Sequence, residues 1–389
     1  MIFFLCVAHC YSQNTWQNLP NFNGSKRDDA IAFTVNDTAY LLGGRDEGYT
    51  VLKDFWQFDN TNNSWNKLSD FPGDERQYAC AFSNANFAYI FGGINSSNKP
   101  LSDCWRFDAI SKLWTRLEDL PAMPRFGSSL FYYKSKAFLV GGKTETECVN
   151  ELWQYDANTN TWEQKTSLPD VARWLSASFS SNGKAYLVGG ETTNLESLNQ
   201  VWEYDLLKDS WKQLQNAPFE ARCHLKSFNI VTEGYIVNGR NATTYFGDTW
   251  KYSFENDSWV QIINSEPSPR KGAAVFNLKN DLYVVGGIDS LNRRLNDVWK
   301  YTLTEDKSKE SEFSVFPNPS NDEINLELGN VFTKVNTLKI YNLMGEIVLE
   351  STDVKTPTNI AISALNTGVY FVVIETENNS VFTKKLIKY

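Results

Sequence analysis

Short apolar runs separated by polar turn residues follow one another along most of the chain, too short and too strictly alternating for helices, and they recur with a fixed period. Runs such as Ala39-Tyr40-Leu41-Leu42 end in a diglycine at Gly43-Gly44, Gly92-Gly93, Gly141-Gly142, Gly189-Gly190 and Gly286-Gly287, with Asn238-Gly239 in the fifth place, at intervals of 48 or 49 residues. A Trp follows each at Trp56, Trp105, Trp153, Trp202, Trp250 and Trp299, two residues before a Phe or Tyr. A second Trp comes nine residues later at Trp65, Trp114, Trp162, Trp211 and Trp259. Each unit therefore reads as four strands: one after a recurring Arg, one ending at the diglycine, one containing Trp-x-Phe/Tyr, and one starting at the second Trp. A period of two puts the first Trp and the following aromatic on one strand face. The diglycine is expected to let a large ring approach the backbone.

The sixth unit lacks its second Trp, whereas an orphan Asn14-Thr15-Trp16-Gln17-Asn18-Leu19-Pro20 stands one period before Trp65. The N-terminal strand is expected to complete the last unit, which closes a ring and leaves no free strand edge. The reading is an all-β chain with a six-bladed β-propeller over residues 13–303. Burial of twelve repeat Trp rings, at roughly 2–3 kcal/mol each, is expected to stiffen it. After a charged linker, residues 304–312, the period stops. Shorter alternating segments over residues 313–389 read as a small immunoglobulin-like β-sandwich.

Composition narrows the function. Hydrophobic residues make up 42% of the 389 and charged ones 21%, which excludes wholesale disorder. No run of eighteen apolar residues is present, so no transmembrane helix is expected. A net charge of −9 without a Lys/Arg block argues against a nucleic-acid partner. The apolar run Ile2–Ala8, with Cys10-Tyr11-Ser12 before a cut at Gln13, reads as the end of a signal peptide over residues 1–12 that lacks a basic start. Removing it leaves Cys80, Cys104, Cys148 and Cys223 without a CxxC pair, and His224 as the sole histidine, so no metal site and no cofactor are expected. Cys104 sits at a core register position; Cys80 lies in the same unit and could pair with it.

Diglycine, Trp-x-Phe/Tyr-Asp and a following Trp at this period resemble Kelch repeats, as in Ala39–Gly44 and Asp54-Phe55-Trp56-Gln57-Phe58-Asp59. The C-terminal stretch resembles the type A sorting domain of the Bacteroidota type IX secretion system. Its carriers are Val315-Phe316-Pro317-Asn318-Pro319, the run Ile340–Val348 around Gly345, Leu365–Phe371 around Gly368, and Phe382–Lys388 with Lys384 and Lys385. That resemblance implies the secretion machinery as a partner and an extracellular or outer-membrane surface location after signal cleavage.

Eleven residues after each second-type Trp lies an arginine: Arg27, Arg76, Arg125, Arg173, Arg222 and Arg270. All six are expected at the start of the innermost strand, around the axis, and in related Kelch propellers such arginines can contact acidic peptides or anionic sugars. Acidic residues two before the first Trp, at Asp54, Asp103, Glu151, Asp248 and Asp297 with Gln200 as the exception, offer them a structural role instead. The residues beside the Arg differ between units. Asp28, Gln77, Phe126, Trp174, Cys223 and Lys271 come first, then Asp29, Tyr78 and His224 one further. Tyr78, Phe126, Trp174 and His224 are candidates to stack on a sugar or grip a peptide; a plug of the channel is the other reading. The expected function is a monomeric, non-catalytic module binding a protein or glycan through the Arg-bearing face. The alternative is an N-acetylneuraminate epimerase (sialic acid mutarotase)-like enzyme, which needs an anion-binding Arg pair and an acid/base carboxylate. A galactose-oxidase-type copper site needs two His and is excluded.

Overall fold

The computed structural model describes residues 16–303 apart from 85, 231–232, 263–266 and 280, and residues 313–389 apart from 329–334, 343–345, 355–357 and 377–380. The leader, the linker and Gly345 lie outside the described residues. The chain divides into two compact units, Met1–Leu303 and Thr304–Tyr389.

Among the described residues the first unit is a ring of six antiparallel blades of four strands. The first blade comprises Ile31–Val35, Thr38–Leu42, Phe55–Asp59 and Ser64–Lys67, with Ile31 opposite Leu42, Leu41 opposite Trp56 and Trp56 opposite Lys67. In the sixth, the N-terminal strand Trp16–Leu19 pairs with Arg294–Thr302, placing Trp16 opposite Tyr301 and Leu19 opposite Val298. The ring thus closes with strands from both ends of the propeller sequence. Between blades the aromatics interdigitate. Phe33, Tyr40 and Phe55 of the first blade pack on Phe107 of the second, with Phe55 and Phe107 edge to face at 4.9 Å. Of the twelve repeat Trp residues only Trp16, Trp56, Trp65 and Trp202 are buried; the other eight keep part of the ring in solvent, so the stiffening expected from complete burial is smaller.

The recurring arginines explain most of the remaining pattern. Arg27 donates to both carboxylate oxygens of Asp54 at 2.6 and 2.8 Å, to the Gly43 carbonyl at 2.9 Å and to the Ser25 carbonyl at 3.0 Å, while Trp56 Nε1 donates to the same Asp54 at 2.7 Å. One guanidinium therefore ties the entry of the innermost strand to the end of the second strand and the start of the third. The same Arg–carboxylate–Trp staple joins Arg76, Asp103 and Trp105, and likewise Arg270, Asp297 and Trp299. Arg222, Asp248 and Trp250 repeat it, and Arg125, Glu151 and Trp153 make it with one guanidinium bond. In the fourth blade Gln200 cannot supply the charge, so Asp170 pairs with Arg173 from the entry loop, and Trp202 Nε1 is left without a partner. Burial by itself raises the pKa of Asp54 and of Asp103, yet the bonds and charge of Arg27 and Arg76 bring both below the usual carboxylate range.

The diglycine answers a different need from the one expected. Gly43 has φ of +64° and Gly44 of +91°. A Cβ on Gly43 would sit 2.5 Å from the Arg76 carbonyl oxygen of the next blade, to which Gly44 N–H donates at 2.9 Å. The approaching group is a neighbouring backbone, not a ring. Asn238 takes the same conformation at φ +60° in the fifth blade, as asparagine tolerates.

Cys80 and Cys104 both lie opposite Phe91, on the two strands that flank it, so a whole strand separates them and no disulfide forms.

The second unit packs a three-stranded sheet and a four-stranded sheet around Ile324, Leu326, Leu338, Ile340, Val372, Ile374 and Leu386. Asn318, between Pro317 and Pro319, spans two residues of the last strand. Its side chain donates to the Lys385 carbonyl at 2.6 Å and accepts from Ile387 N–H at 2.9 Å. Gly368 faces Lys388, and Lys384 and Lys385 lie opposite Val372 and Phe371.

Replacing Arg76, fully buried, by Ala leaves Asp103 uncompensated. The expected outcome is a loss of about 3–5 kcal/mol in urea unfolding of residues 13–303.

Candidate functional site

At the entry to each innermost strand the residue two after the Arg adopts the left-handed conformation: Asp29, Tyr78, Leu175 and His224 at φ of 54–58°, with Gly127 and Gly272 at +63° and +64°. Their backbones join around the axis. Tyr78 N–H donates to the Asp29 carbonyl at 3.1 Å, Gly127 to Tyr78 at 2.8 Å, Leu175 to Gly127 at 2.7 Å, His224 to Leu175 at 3.0 Å and Asp29 to Gly272 at 2.7 Å. This collar holds the non-glycine side chains against one another at the centre. Tyr78, of the second blade, lies 5.8 Å from the His224 ring of the fifth, 5.9 Å from Trp174 and 6.0 Å from Phe126 between ring centroids. Phe126 and Trp174 meet at 5.4 Å. His224 and Phe126 are buried, whereas Tyr78 and Trp174 keep a half-buried edge.

A second ring surrounds the collar. The residue one after each Arg bridges to the residue after each diglycine, pairing Asp28 with Arg45, Gln77 with Ile94, Phe126 with Lys143, Trp174 with Glu191, Cys223 with Arg240 and Lys271 with Ile288. Bridged residues share a side of the ladder, so each blade presents a two-residue unit that varies beside an invariant scaffold. The Arg-side half was visible in the sequence; Arg45, Lys143, Glu191 and Arg240 were missed. Their signal was a fixed offset of one residue after the glycine pair.

The six recurring arginines are at most 2% exposed and engaged in their staples, which removes their guanidinium groups from contact with any ligand in this conformation. The charged groups at the mouth are others. Glu191, 1% exposed, forms an ion pair with Arg240 Nη2 at 3.2 Å and accepts from the Cys223 thiol at 3.4 Å. Arg294 Nε donates to Asp28 at 2.6 Å, and the Arg294 and Arg45 guanidinium groups each lie 4.8 Å from the Tyr49 ring. Lys143 Nζ sits 5.1 Å from the Trp174 ring. Five buried polar atoms here have no hydrogen-bond partner: Glu191 Oε2, Arg240 Nε, Trp174 Nε1, Asp29 Oδ1 and His224 Nδ1, the last two 3.6 Å apart. Nine further buried polar atoms among the described residues also lack a partner, so what sets these five apart is that their residues belong to the two rings around the axis.

Titration follows from this crowding. Burial, then the charge of Asp29, pushes Asp28 up to about 7 against the pull of Arg294. Burial raises Asp29 as well, and burial with Lys271, Arg240 and Lys226 nearby drives His224 well down, so its imidazole is neutral at neutral pH. Among the described residues no cluster of three or more His, Cys, Asp or Glu is disposed to hold a metal ion. At the other end of the axis a polar cavity of about 360 Å³ is lined by Thr34, Ser83, Tyr132, Ser180, Asn229 and Asn277.

The family model described as the KLHDC2/KLHL20/DRC7 Kelch-repeats domain matches residues 5–125, 35–216 and 127–323. The chain belongs to the Kelch-repeat family. A secretion system C-terminal sorting domain matches residues 314–389, so this Kelch-repeat chain carries the export signal of that system. Among the described residues no helix is long and apolar enough to cross a membrane. No curated protein matches the sequence. Among solved structures, the one described as "Structure of YjhT" aligns with a TM-score of 0.61 at 17% identity over 74% of this chain and 98% of its own length. The likeness to YjhT, at 17% identity, shows a shared propeller fold, so the purely non-catalytic binding module expected from the sequence no longer stands as the leading reading.

A carboxyl group raised to about 7 favours the fold below the ordinary value near 3.8 and withdraws that support as pH climbs through 7. Asp28→Asn is therefore expected to flatten the fall in melting temperature between pH 5 and pH 8. An unchanged fall would locate the titration elsewhere.

Proposed function

We propose that the propeller is a carbohydrate enzyme of the sialic acid mutarotase type, exchanging the anomers of an anionic sugar at the Arg-bearing mouth. The observation that carries this reading is the set of orphaned atoms on residues around the axis, which includes a proton acceptor, a proton donor and an anion binder. Charge supports it: Arg45, Lys143, Lys226, Arg240, Lys271 and Arg294 outnumber Asp28, Asp29 and Glu191 around the axis, in a chain of net charge −9. Basic groups gathered around the axis draw an anion against the overall charge of the protein.

In this reading Arg240, with Nε free, and Lys143 hold the sugar carboxylate, and the exposed edge of Trp174 meets the apolar face of the ring. Glu191 Oε2 takes the proton of the anomeric hydroxyl. Asp29, whose pKa burial raises, gives a proton to the ring oxygen as the bond from that oxygen to the anomeric carbon breaks. Rotation of the freed carbonyl and addition of the hydroxyl to its other face reverse both transfers and yield the other anomer.

The test is anomer exchange of N-acetylneuraminate followed by NMR. The expected result is exchange faster than the spontaneous rate, reduced about 10²–10⁴-fold in Glu191→Gln and Asp29→Asn. Activity should fall as pH rises through the elevated Asp29 value, because the donor loses its proton. Exchange no faster than in buffer, from protein that is folded and binds the sugar, would sink the proposal.

A further inference from the structure

A second recess lies on the Arg-bearing face but away from the axis, over the outer strands of the second blade. This groove of about 490 Å³ is walled by the loops that enter the second and third blades, with Pro72 and Pro124, and by the loop from Lys99 to Asp103. Its floor is a cross-strand pair. Trp105, on the strand Cys104–Asp108, stands directly opposite Arg116, on Trp114–Arg116, so the two side chains leave one side of the sheet with Cβ atoms about 5 Å apart. The indole is fixed twice, by Nε1 donating to Asp103 at 2.6 Å and by edge-to-face packing on Phe71 at 5.2 Å. Arg116 Nη2 donates to both oxygens of Asp119 at 2.8 Å, and the guanidinium makes no other hydrogen bond among the described residues. Trp105, Arg116 and Asp119 all line the groove.

The scaffold does not require this arrangement. The position opposite the repeat Trp is Lys67 in the first blade, Gln164, Gln213 and Gln261 in the third to fifth, and Asn18 in the sixth. Nor does the pair do much for stability, since its side chains are 56% and 41% exposed and such pairs contribute little. A solvated surface ion pair explains the two charges. It does not explain their place beside an immobilised indole in a recess whose size is that of a small-molecule site.

Charge selects the occupant. Asp103 is neutralised by Arg76 at 2.7 and 2.8 Å, Asp119 by Arg116, and Lys99 offsets Asp74, so the groove carries no net charge, unlike the basic surroundings of the axis. An anion gains nothing there. A proline-rich peptide docks on several aromatic side chains, and among the described residues Trp105 is the one aromatic ring lining the groove. One ring with a planar guanidinium–carboxylate pair at its side matches a pyranose. The C–H face of the sugar lies on the indole, while adjacent hydroxyls donate to Asp119 and accept from the unused N–H groups of Arg116.

We infer that this groove is a binding site for a neutral oligosaccharide, separate from the axial mouth and using none of the residues assigned to anomer exchange. Prolines in its walls fix the backbone, so little freedom is lost when the sugar enters.

The test is a glycan array probed with residues 13–389. It carries neutral gluco-, galacto- and manno-configured and N-acetylated oligosaccharides, acidic glycans and a polyproline peptide, and each hit is titrated by calorimetry. The expected result is binding of at least one neutral oligosaccharide, weakened about tenfold or more in Arg116→Ala and in Asp119→Ala. Both side chains are exposed, so both variants are expected to fold, which circular dichroism checks. Trp105→Ala is expected to abolish binding; because it also removes a bond to Asp103, the two exposed variants decide. Hits confined to acidic glycans or to the peptide, no hit at all, or neutral binding unchanged in Arg116→Ala and Asp119→Ala would overturn the inference. Anomer exchange is expected to be unaltered in Arg116→Ala, so the failure of either reading leaves the other standing.

Discussion

A guanidinium group with no access to water has to be surrounded by acceptors, and in this propeller that requirement organises each blade. The recurring arginine is enclosed by a carboxylate, a glycine carbonyl and an entry-loop carbonyl, and the same carboxylate takes the indole N–H of the third-strand Trp. Buried ion pairs are weak evidence of net stability, because desolvation offsets most of their attraction. Their effect is on geometry: the partners cannot separate without stranding a charge. The entry loop, the end of the second strand and the start of the third are consequently held in register in blade after blade, and the fourth blade keeps the arrangement by recruiting Asp170 when the usual carboxylate is a glutamine.

With that frame fixed, variation next to it becomes placement. The residues one and two after the Arg and the residue after the diglycine are carried to the axis by backbone bonds that do not depend on their side chains. Substituting them changes what the mouth contains without disturbing the ring. Crowding then alters their chemistry: adjacent carboxylates under little solvent hold protons to higher pH, and an imidazole among basic groups stays neutral. The four described thiols are removed from chemistry by the same burial, which lifts Cys80 and Cys223 to about 12. An exported protein with no disulfide among its described residues thus relies on packing and staples.

In the second unit a comparable economy appears. Asn318 makes with its side chain the two bonds that a neighbouring strand would make with its backbone, and so caps part of the final strand's edge. Two motifs at opposite ends of this unit's sequence are a single structural feature.

Much of the architecture was legible from the chain alone because it rests on repetition. Period, strand order and the all-β class follow from spacing, since a unit that cannot bury its own face must stack on copies of itself. The residues beside each Arg were also identifiable, because they vary where everything around them repeats. What spacing could not convey is which groups meet. The reason for the diglycine, a carbonyl from the next blade, comes from a residue 33 positions away. The partial exposure of eight Trp rings and the separation of Cys80 from Cys104 by an intervening strand depend on packing between strands. The mouth itself, with Tyr78 against His224 and Glu191 against Arg240, draws residues from blades far apart in sequence. Their juxtaposition, their burial and hence their proton affinities exist only once the ring has closed, because an electrostatic environment is a property of distances in space and not of order along a chain.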